Sequence, residues 1–159
     1  MPSASRDVIE GNLLLARRFI EDVLGGGNPN SFDELVSDHI RVVTSLKPTG
    51  PIEGKAEYVK VLGETVSGQF IDREVTLEEL SPLQDGRILA HIHTLATHVG
   101  EVFGIPPTNR RIRTNELLLM RFNNSELVEL LVGSLIPMEF EMLFAPAIAA
   151  SVLGRESEV

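Results

Sequence analysis

Residues 87 to 122 read RILAHIHTLATHVGEVFGIPPTNRRIRTNELLLMRF, and this stretch decides the fold. On both sides of the central Gly-Ile-Pro-Pro-Thr segment, side chains alternate in the period-two pattern of β-strands. Because proline cannot donate to a strand ladder and glycine favours turns, the segment between the two alternating runs predicts a turn. The stretch therefore predicts a long antiparallel hairpin, with strands over residues 87–104 and 110–122.

The rest of the second half carries the same alternation. It predicts further strands over residues 72–80 and 126–135, with turns at residues 84–86 and 123–125. The first half has the three- and four-residue spacing of helices instead. The apolar residues at that spacing are Ile9, Leu13, Ala16, Ile20 and Val23, and a run of three glycines follows them. Helices followed by an antiparallel meander predict one α+β fold.

Shorter elements complete the prediction. Ser31 and Glu34 have the spacing of a capping box, which predicts a short helix at this point. A β-branched strand is predicted over residues 39–46 and a third helix over 55–66, with KPTGPIEG between them as a loop at a rim or lid. A last short helix is predicted over residues 137–144.

Composition limits the function classes. The 159 residues are 43% apolar and carry a net charge of −9, which disfavours nucleic acid and anionic membranes as partners. The absence of cysteine excludes disulfides, thiolate metal ligands and a cysteine nucleophile. The N-terminal residues do not have the pattern of a signal peptide. We therefore expect one domain over residues 1–159 in the cytoplasm, with a core at about 8–144 and a peripheral segment at 145–159.

The alternation also assigns each hairpin residue to a face of the sheet. The even-numbered residues of the first strand are small or apolar, and His98 is next in line. From Ile112 to Phe122, the even-numbered residues of the second strand are apolar except Thr114 and Glu116. A five-residue loop at 105–109 would set His98 directly opposite Glu116, with their Cβ atoms about 4.5–5.5 Å apart.

A buried carboxylate is costly, so Glu116 is predicted to be paired or functional. An imidazole beside it would form an acid and a base usable near neutral pH. The same pair could instead be a structural contact, and the face assignment could leave both groups in solvent. His91 and His93 fall on the opposite face, where solvent or a subunit contact is expected. No third ligand accompanies the pair, so no metal site is predicted.

The string HVGEVFGIPPTNRR, followed by ELLLMRF, an NNS turn and ELVEL, resembles the SnoaL-like polyketide cyclase family. RRFIEDV and FDELVSDH are similar to the first two helices of that family, so the resemblance covers most of the chain. It implies a cone-shaped α+β fold, shared with nuclear transport factor two and ketosteroid isomerase. In that fold, N-terminal helices pack on a strongly curved antiparallel sheet and enclose a pocket.

The resemblance also implies chemistry from which this sequence departs. Ring-closing members of the family run an intramolecular aldol condensation without a cofactor, using polar side chains of the pocket wall. Here Leu118, Val132 and Val42 fall at or near three of those polar positions. Glu116 and His98 are then the polar residues left on the predicted wall.

Two functions fit these residues. The first is a cofactor-independent cyclase or isomerase of natural-product biosynthesis, acting on a hydrophobic polyketide- or terpenoid-like molecule. Glu116 would be its general acid or base and His98 its partner. The second is a non-catalytic small-molecule-binding or assembly module that kept the fold. The predicted substrate-binding wall consists of Leu118, Met120, Leu130, Val132, Val42 and Tyr58.

A homodimer or higher homo-oligomer is expected, with no cofactor, metal, nucleic acid or membrane as partner. The outer face of the predicted sheet is unusually apolar for a monomer surface. Its leucines are Leu89, Leu95, Leu117 and Leu119. The apolar segment 147–153 is the alternative contact.

Overall fold

The computed structural model describes residues 3–135, 145–146 and 149–150. Between residues 3 and 135, helices and strands alternate first and a strand meander follows. In chain order the elements are α1 (Arg6–Arg18), a π-helix (Phe19–Leu24), α2 (Ser31–Leu35), β1 (Val36–Val43), β2 (Ile52–Glu53), α3 (Lys55–Thr65), β3 (Phe70–Pro82), β4 (Ile88–His98), β5 (Arg111–Asn123) and β6 (Glu126–Ser134). The predicted helix at 137–144 and most of segment 145–159 lie outside the described residues.

The first helix begins and ends for local reasons. The Ser5 hydroxyl accepts a hydrogen bond from the Val8 N–H, and Asp7 lies in the positive first turn. After Arg18 the helix does not stop at once but widens into the π-helix, whose last turn closes with the Gly25 N–H donating to the Ile20 carbonyl at 2.9 Å. The glycines then end the helical segment, as the sequence predicted.

The second helix differs from its prediction. It begins at Ser31, but Ser31 is a helical residue, and its hydroxyl donates to Asp22 Oδ2 at 2.8 Å instead of capping the helix. Glu34 pairs with Arg18 across to α1. The predicted capping box is therefore wrong, because both of its side chains bind groups on the preceding helix. The helix is short, and strand β1 begins at Val36, three residues before its predicted start.

The strands form one curved sheet in the order β2-β1-β6-β5-β4-β3. All neighbouring pairs are antiparallel except β1 and β6, which are parallel. The parallel pair was not predicted, and neither was β2, which forms inside the predicted loop. The α+β fold with N-terminal helices on a strongly curved, largely antiparallel sheet is confirmed.

The central hairpin has the predicted faces but not the predicted register. Glu116 pairs with Ile92, and Thr97 pairs with Arg111, so β4 ends at His98. The predicted contact between His98 and Glu116 is therefore wrong. His98 lies six positions along β4 from Ile92, the partner of Glu116. Six positions span about 20 Å along an extended strand. Since this displacement is an even number of residues, both side chains still belong to the inner face.

The hairpin loop explains the error. Val102 and Ile105 exchange backbone hydrogen bonds of 3.1 and 2.9 Å, and Phe103 and Gly104 between them have φ angles of 52° and 78°. This tight turn is the pattern of a two-residue hairpin turn with positive φ at both centres. The stretch 99–109 therefore folds on itself instead of extending the main ladder.

Two clusters of buried side chains hold the described layers together. The larger lies between the helices and the inner face of the sheet, and includes Phe19, Ile40, Ile88 and Met120. The smaller lies under the hairpin loop and includes Phe70, Val102 and Ile112. Leu46 packs against both clusters, so the smaller cluster under the hairpin loop is continuous with the larger one. No helix within the described residues has the length and apolar character needed to cross a membrane.

Candidate functional site

A cavity of about 390 Å³ lies between the helical layer and the inner face of the sheet. Its volume is within the range of small-molecule sites. The π-helix, α2 and α3 supply one side, and strands β1, β3, β4, β5 and β6 supply the other. Most of the lining side chains are apolar, as the alternation of the inner face predicted.

The predicted substrate-binding residues divide between this cavity and the core. Five of them line the cavity, namely Val42, Tyr58, Leu118, Leu130 and Val132. Met120 does not. It is 0% exposed and packs in the larger core cluster. Its assignment to the wall is therefore wrong, although its face is right.

Glu116 lies in the cavity wall at the middle of β5. Thr114 and Leu118 flank it on the same face and line the cavity with it, and Ile92 stands opposite on β4. The side chain is half-buried. A carboxylate among aliphatic side chains in a concave site is a candidate acid or base.

Tyr58 brings a phenol to the same cavity from helix α3. It is 3% exposed, and its ring is tilted against that of Phe32 with centroids 5.7 Å apart. Burial, and in second place the negative charge of Glu116, raise the pKa of the Tyr58 phenol well above its ordinary value. The phenol therefore stays protonated and able to donate a hydrogen bond at any physiological pH.

His98 lies outside the cavity lining, against Phe70 of the smaller cluster. It is 0% exposed, and its ring stacks on Phe70 with centroids 5.3 Å apart. Its Nδ1 accepts the backbone N–H of Thr108 at 3.3 Å and lies 3.0 Å from the Thr108 hydroxyl. The geometry gives His98 a structural task, which is to hold the Pro-Pro-Thr segment against the strand.

Gly100 lies in the same corner of the hairpin, two residues after His98. The N–H groups of Val99 and Gly100 donate to the Gln69 carbonyl at 2.8 and 3.1 Å, which draws the hairpin loop onto the start of β3. A Cβ on Gly100 would lie 2.9 Å from Gln69 Cα, closer than side-chain atoms approach. The His-Val-Gly motif and the Pro-Pro-Thr motif are thus two halves of one tight corner.

Polar residues that the sequence did not single out surround the opening of the cavity. Asp22 lies at the π-helix and is held by the Ser31 hydroxyl at 2.8 Å and by Arg18 Nε at 3.5 Å. Arg73 lies opposite, on β3, and is exposed. Neither stood out in the sequence, because residues 22 and 73 come to the same cavity only when the helix packs across the sheet.

The other two hairpin histidines lie on the outer face, as predicted. His91 Nε2 is 2.6 Å from Asn115 Oδ1, and His93 Nδ1 is 2.8 Å from Glu78 Oε1. These are contacts between neighbouring strands. Within the described ranges, no group of three His, Asp or Glu side chains is placed to bind a metal ion.

Comparisons with known proteins agree with this geometry. The sequence profile of the SnoaL-like polyketide cyclases matches residues 14–130. Curated proteins offer no match by sequence. A protein of Jannaschia sp. CCS1, named as a SnoaL-like polyketide cyclase, has a similar structure, with a TM-score of 0.73 at 15% identity over 92% of this chain and 97% of that one.

Two Streptomyces proteins are similar in the same way. AclR of Streptomyces galilaeus, named as a hydroxylase, has a TM-score of 0.68 at 18% identity over 87% of this chain and 96% of its own. IdmH of Streptomyces antibioticus, named as a polyketide cyclase, has a TM-score of 0.67 at 17% identity over 83% and 97%. These TM-scores establish a shared fold, and the profile match covers well over half of the sequence. This chain belongs to the SnoaL-like polyketide cyclase family.

Proposed function

We propose that this protein is a cofactor-independent cyclase or isomerase that moves a proton on a hydrophobic, polyketide-like substrate. One observation carries the proposal: Glu116 places a carboxylate in an otherwise largely apolar cavity wall, and the Tyr58 phenol lines the same cavity. Membership of a polyketide cyclase family supports the substrate class. In this proposal Tyr58 takes the place of His98 as the polar partner, because His98 does not line the cavity.

The two groups have complementary tasks in proton transfer. The Glu116 carboxylate removes a proton from a carbon next to a substrate carbonyl, and the C–H electron pair moves onto the carbonyl oxygen to form an enolate. The Tyr58 O–H donates a hydrogen bond to that oxygen, as donors do in oxyanion sites. Return of the proton to another carbon isomerises the substrate. Alternatively, the enolate carbon attacks a second carbonyl of the same molecule, and the proton passes to the new alkoxide.

The test uses exchange of hydrogen for deuterium, which reports proton abstraction without knowledge of the final product. A series of bicyclic and tricyclic aryl ketones is incubated with the protein in D₂O, and deuterium next to the carbonyl is measured by mass spectrometry. We expect Glu116→Gln to lower the enzyme-dependent exchange rate by about 10²–10⁴-fold, the usual contribution of general acid–base catalysis.

The matched control is Glu101→Gln, which makes the same change at an exposed position of the hairpin loop. It should leave the exchange rate unaltered, and circular dichroism should show both variants folded. Equal exchange by Glu116→Gln and the unmodified protein would remove Glu116 from the chemistry.

A second candidate function is a non-catalytic binding module, and a specific observation favours it. Val42, Leu118 and Val132, which stand at or near the family's polar positions, all line the cavity. The site therefore has fewer acid–base groups than the resemblance implies for ring-closing members. Binding of the ketones without any enzyme-dependent exchange would support this candidate over the cyclase.

A further inference from the structure

Strand β3 carries a bulge at the cavity opening. Ile71 pairs with Thr97 and Glu74 pairs with Leu95, so two residues of β3, Asp72 and Arg73, stand opposite one residue of β4. Asp72 has a φ of 52°, which is uncommon for a residue other than glycine. Bulges of this kind redirect side chains and recur beside functional sites.

The bulge sets Arg73 toward the cavity. The residue of β4 opposite the bulge is Ala96, which lines the cavity, and Val75 beyond the bulge lines it too. Arg73 lines the cavity with them while remaining exposed, so its side chain lies at the opening. Its Nη2 reaches the glycine loop that follows the π-helix, since a Cβ on Gly26 would lie 3.9 Å from that nitrogen.

The positive charge of Arg73 has no partner within the described part of the protein. Among residues 3–135, its guanidinium forms no hydrogen bond and no ion pair. Its neighbour Arg111 differs, because it binds the Asp72 carbonyl at 3.1 Å and pairs with Glu74. The carboxylate of Asp22, which also lines the cavity, is already bound by Arg18 and Ser31.

We propose that Arg73 binds a carboxylate at one end of the substrate, so that the cavity accepts an apolar molecule with a single anionic terminus. This rests on the proposed function, in that it takes the cavity to be the substrate site. A guanidinium matches a planar carboxylate with two parallel hydrogen bonds. A carboxylate held at the opening leaves the apolar body to extend inward, toward Glu116 and Tyr58. A group with two negative charges fits less well, because Asp22 and Glu116 line the same cavity.

The test compares two probes of nearly equal shape, 2-naphthylacetate and the neutral 2-naphthylacetamide, by isothermal titration calorimetry. We expect the unmodified protein to bind the carboxylate more tightly than the amide. Arg73→Gln should weaken carboxylate binding by about 10- to 100-fold, as the loss of a charge-assisted bidentate contact does, and leave amide binding within about twofold. Arg73→Lys should retain part of the preference, since lysine keeps the charge without the fork.

Two controls locate the effect. Arg110→Gln removes an exposed arginine outside the cavity lining and should change neither affinity. Leu118→Trp fills the cavity and should weaken the binding of both probes equally.

Equal affinity of the unmodified protein for both probes, or loss of binding of both on Arg73→Gln, would overturn the proposal. If the amide binds and Glu116 supports exchange while Arg73→Gln has no effect, only the carboxylate site falls. If neither probe binds and no ketone exchanges, the cavity is not the substrate site and both proposals fall.

Discussion

Tyr58 on helix α3 and Glu116 on strand β5 approach one cavity from different layers, and burial, with the charge of the carboxylate second, raises the pKa of the phenol. The interaction therefore exists only when the helix is packed on the sheet. It gives the cavity an acceptor of protons beside a permanent donor of hydrogen bonds. This combination suits the formation and stabilisation of an enolate.

The first prediction concerns Tyr58. Changing Tyr58 to Phe keeps the ring against Phe32 and removes only the hydroxyl, so we expect a folded protein whose exchange rate is about 10- to 10³-fold lower. Because both groups serve one step, the double variant Tyr58→Phe with Glu116→Gln should be little slower than Glu116→Gln alone. The double-mutant cycle on exchange rates measures this. Fully multiplicative losses would mean that the two side chains act independently.

The second prediction separates His98 from catalysis. His98→Ala removes the acceptor of the Thr108 N–H and the stack on Phe70. The free energy of unfolding, measured with urea, should therefore fall by about 2–4 kcal/mol. Exchange per folded molecule should change by less than about threefold, because general acid–base groups contribute far more than that. Thr108→Val keeps the backbone N–H, so the free energy of unfolding should fall by less, about 0.5–1.5 kcal/mol. A folded, stable His98→Ala protein without activity would restore His98 to the chemistry.

The third prediction uses two glycines. Gly100→Ala would put a Cβ 2.9 Å from Gln69 Cα, where the contact is with backbone, so the variant should lose about 1–3 kcal/mol of stability. Gly63 lies in α3, and a Cβ at this position would have no other atom within 4 Å outside the helix's own backbone. Gly63→Ala should therefore gain about 0.5–1 kcal/mol by lowering the entropy of the unfolded chain. Thermal unfolding of the two variants should shift in opposite directions, and a Gly100→Ala variant as stable as the unmodified protein would contradict the close approach at Gly100.

The fourth prediction concerns acid stability. The side chain of Lys47, and then the backbone N–H of Glu53 at 2.7 Å, hold the pKa of Glu57 below its ordinary 4.5. A lowered pKa means that this contribution to stability is fully present above pH 4.5 and is lost as the pH falls through the folded-state pKa. Glu57→Gln should therefore lower the melting temperature at pH 7 and much less at pH 3.

The control for Glu57 lies on the same helix. Glu64 pairs with Lys60 at 4.0 Å while 63% of its side chain is exposed. Such exposed pairs contribute little, so Glu64→Gln should shift the melting temperature only slightly at either pH. An effect of Glu57→Gln that grows as the pH falls would contradict the assigned sign.

The fifth prediction concerns self-association, which we expect through the outer face of the sheet. Leu89, Leu95, Leu117 and Leu119 lie on that face and are half-buried in the single chain. Sedimentation at micromolar concentration should show a dimer or larger oligomer, and Leu117→Lys should shift it toward monomer by placing a charge in the apolar surface. Gln84→Lys, at an exposed turn, is the control. A monomer in the unmodified protein would rule out this interface.

The sequence by itself determined the types of the longer helices and strands and the faces of the central hairpin. Alternation is a local property, so it placed Glu116, Leu118, Val132 and Thr94 on the inner face however far the ladder shifted. The glycine run and the two turns ended their elements for equally local reasons. The family's motif also identified the corner at His98, although not its structural task.

The tertiary structure decided which residues meet. The register of β4 and β5 depends on residues 99–109 folding into their own turn and packing on Phe70, a long-range contact that alternation does not encode. The same holds for Tyr58 and Glu116 in one cavity lining and for Arg73 beside the glycine loop, because packing of the helical layer on the sheet brings residues far apart in sequence together. Local patterns fix which way a side chain points, whereas its neighbours are fixed only when the layers close over the cavity.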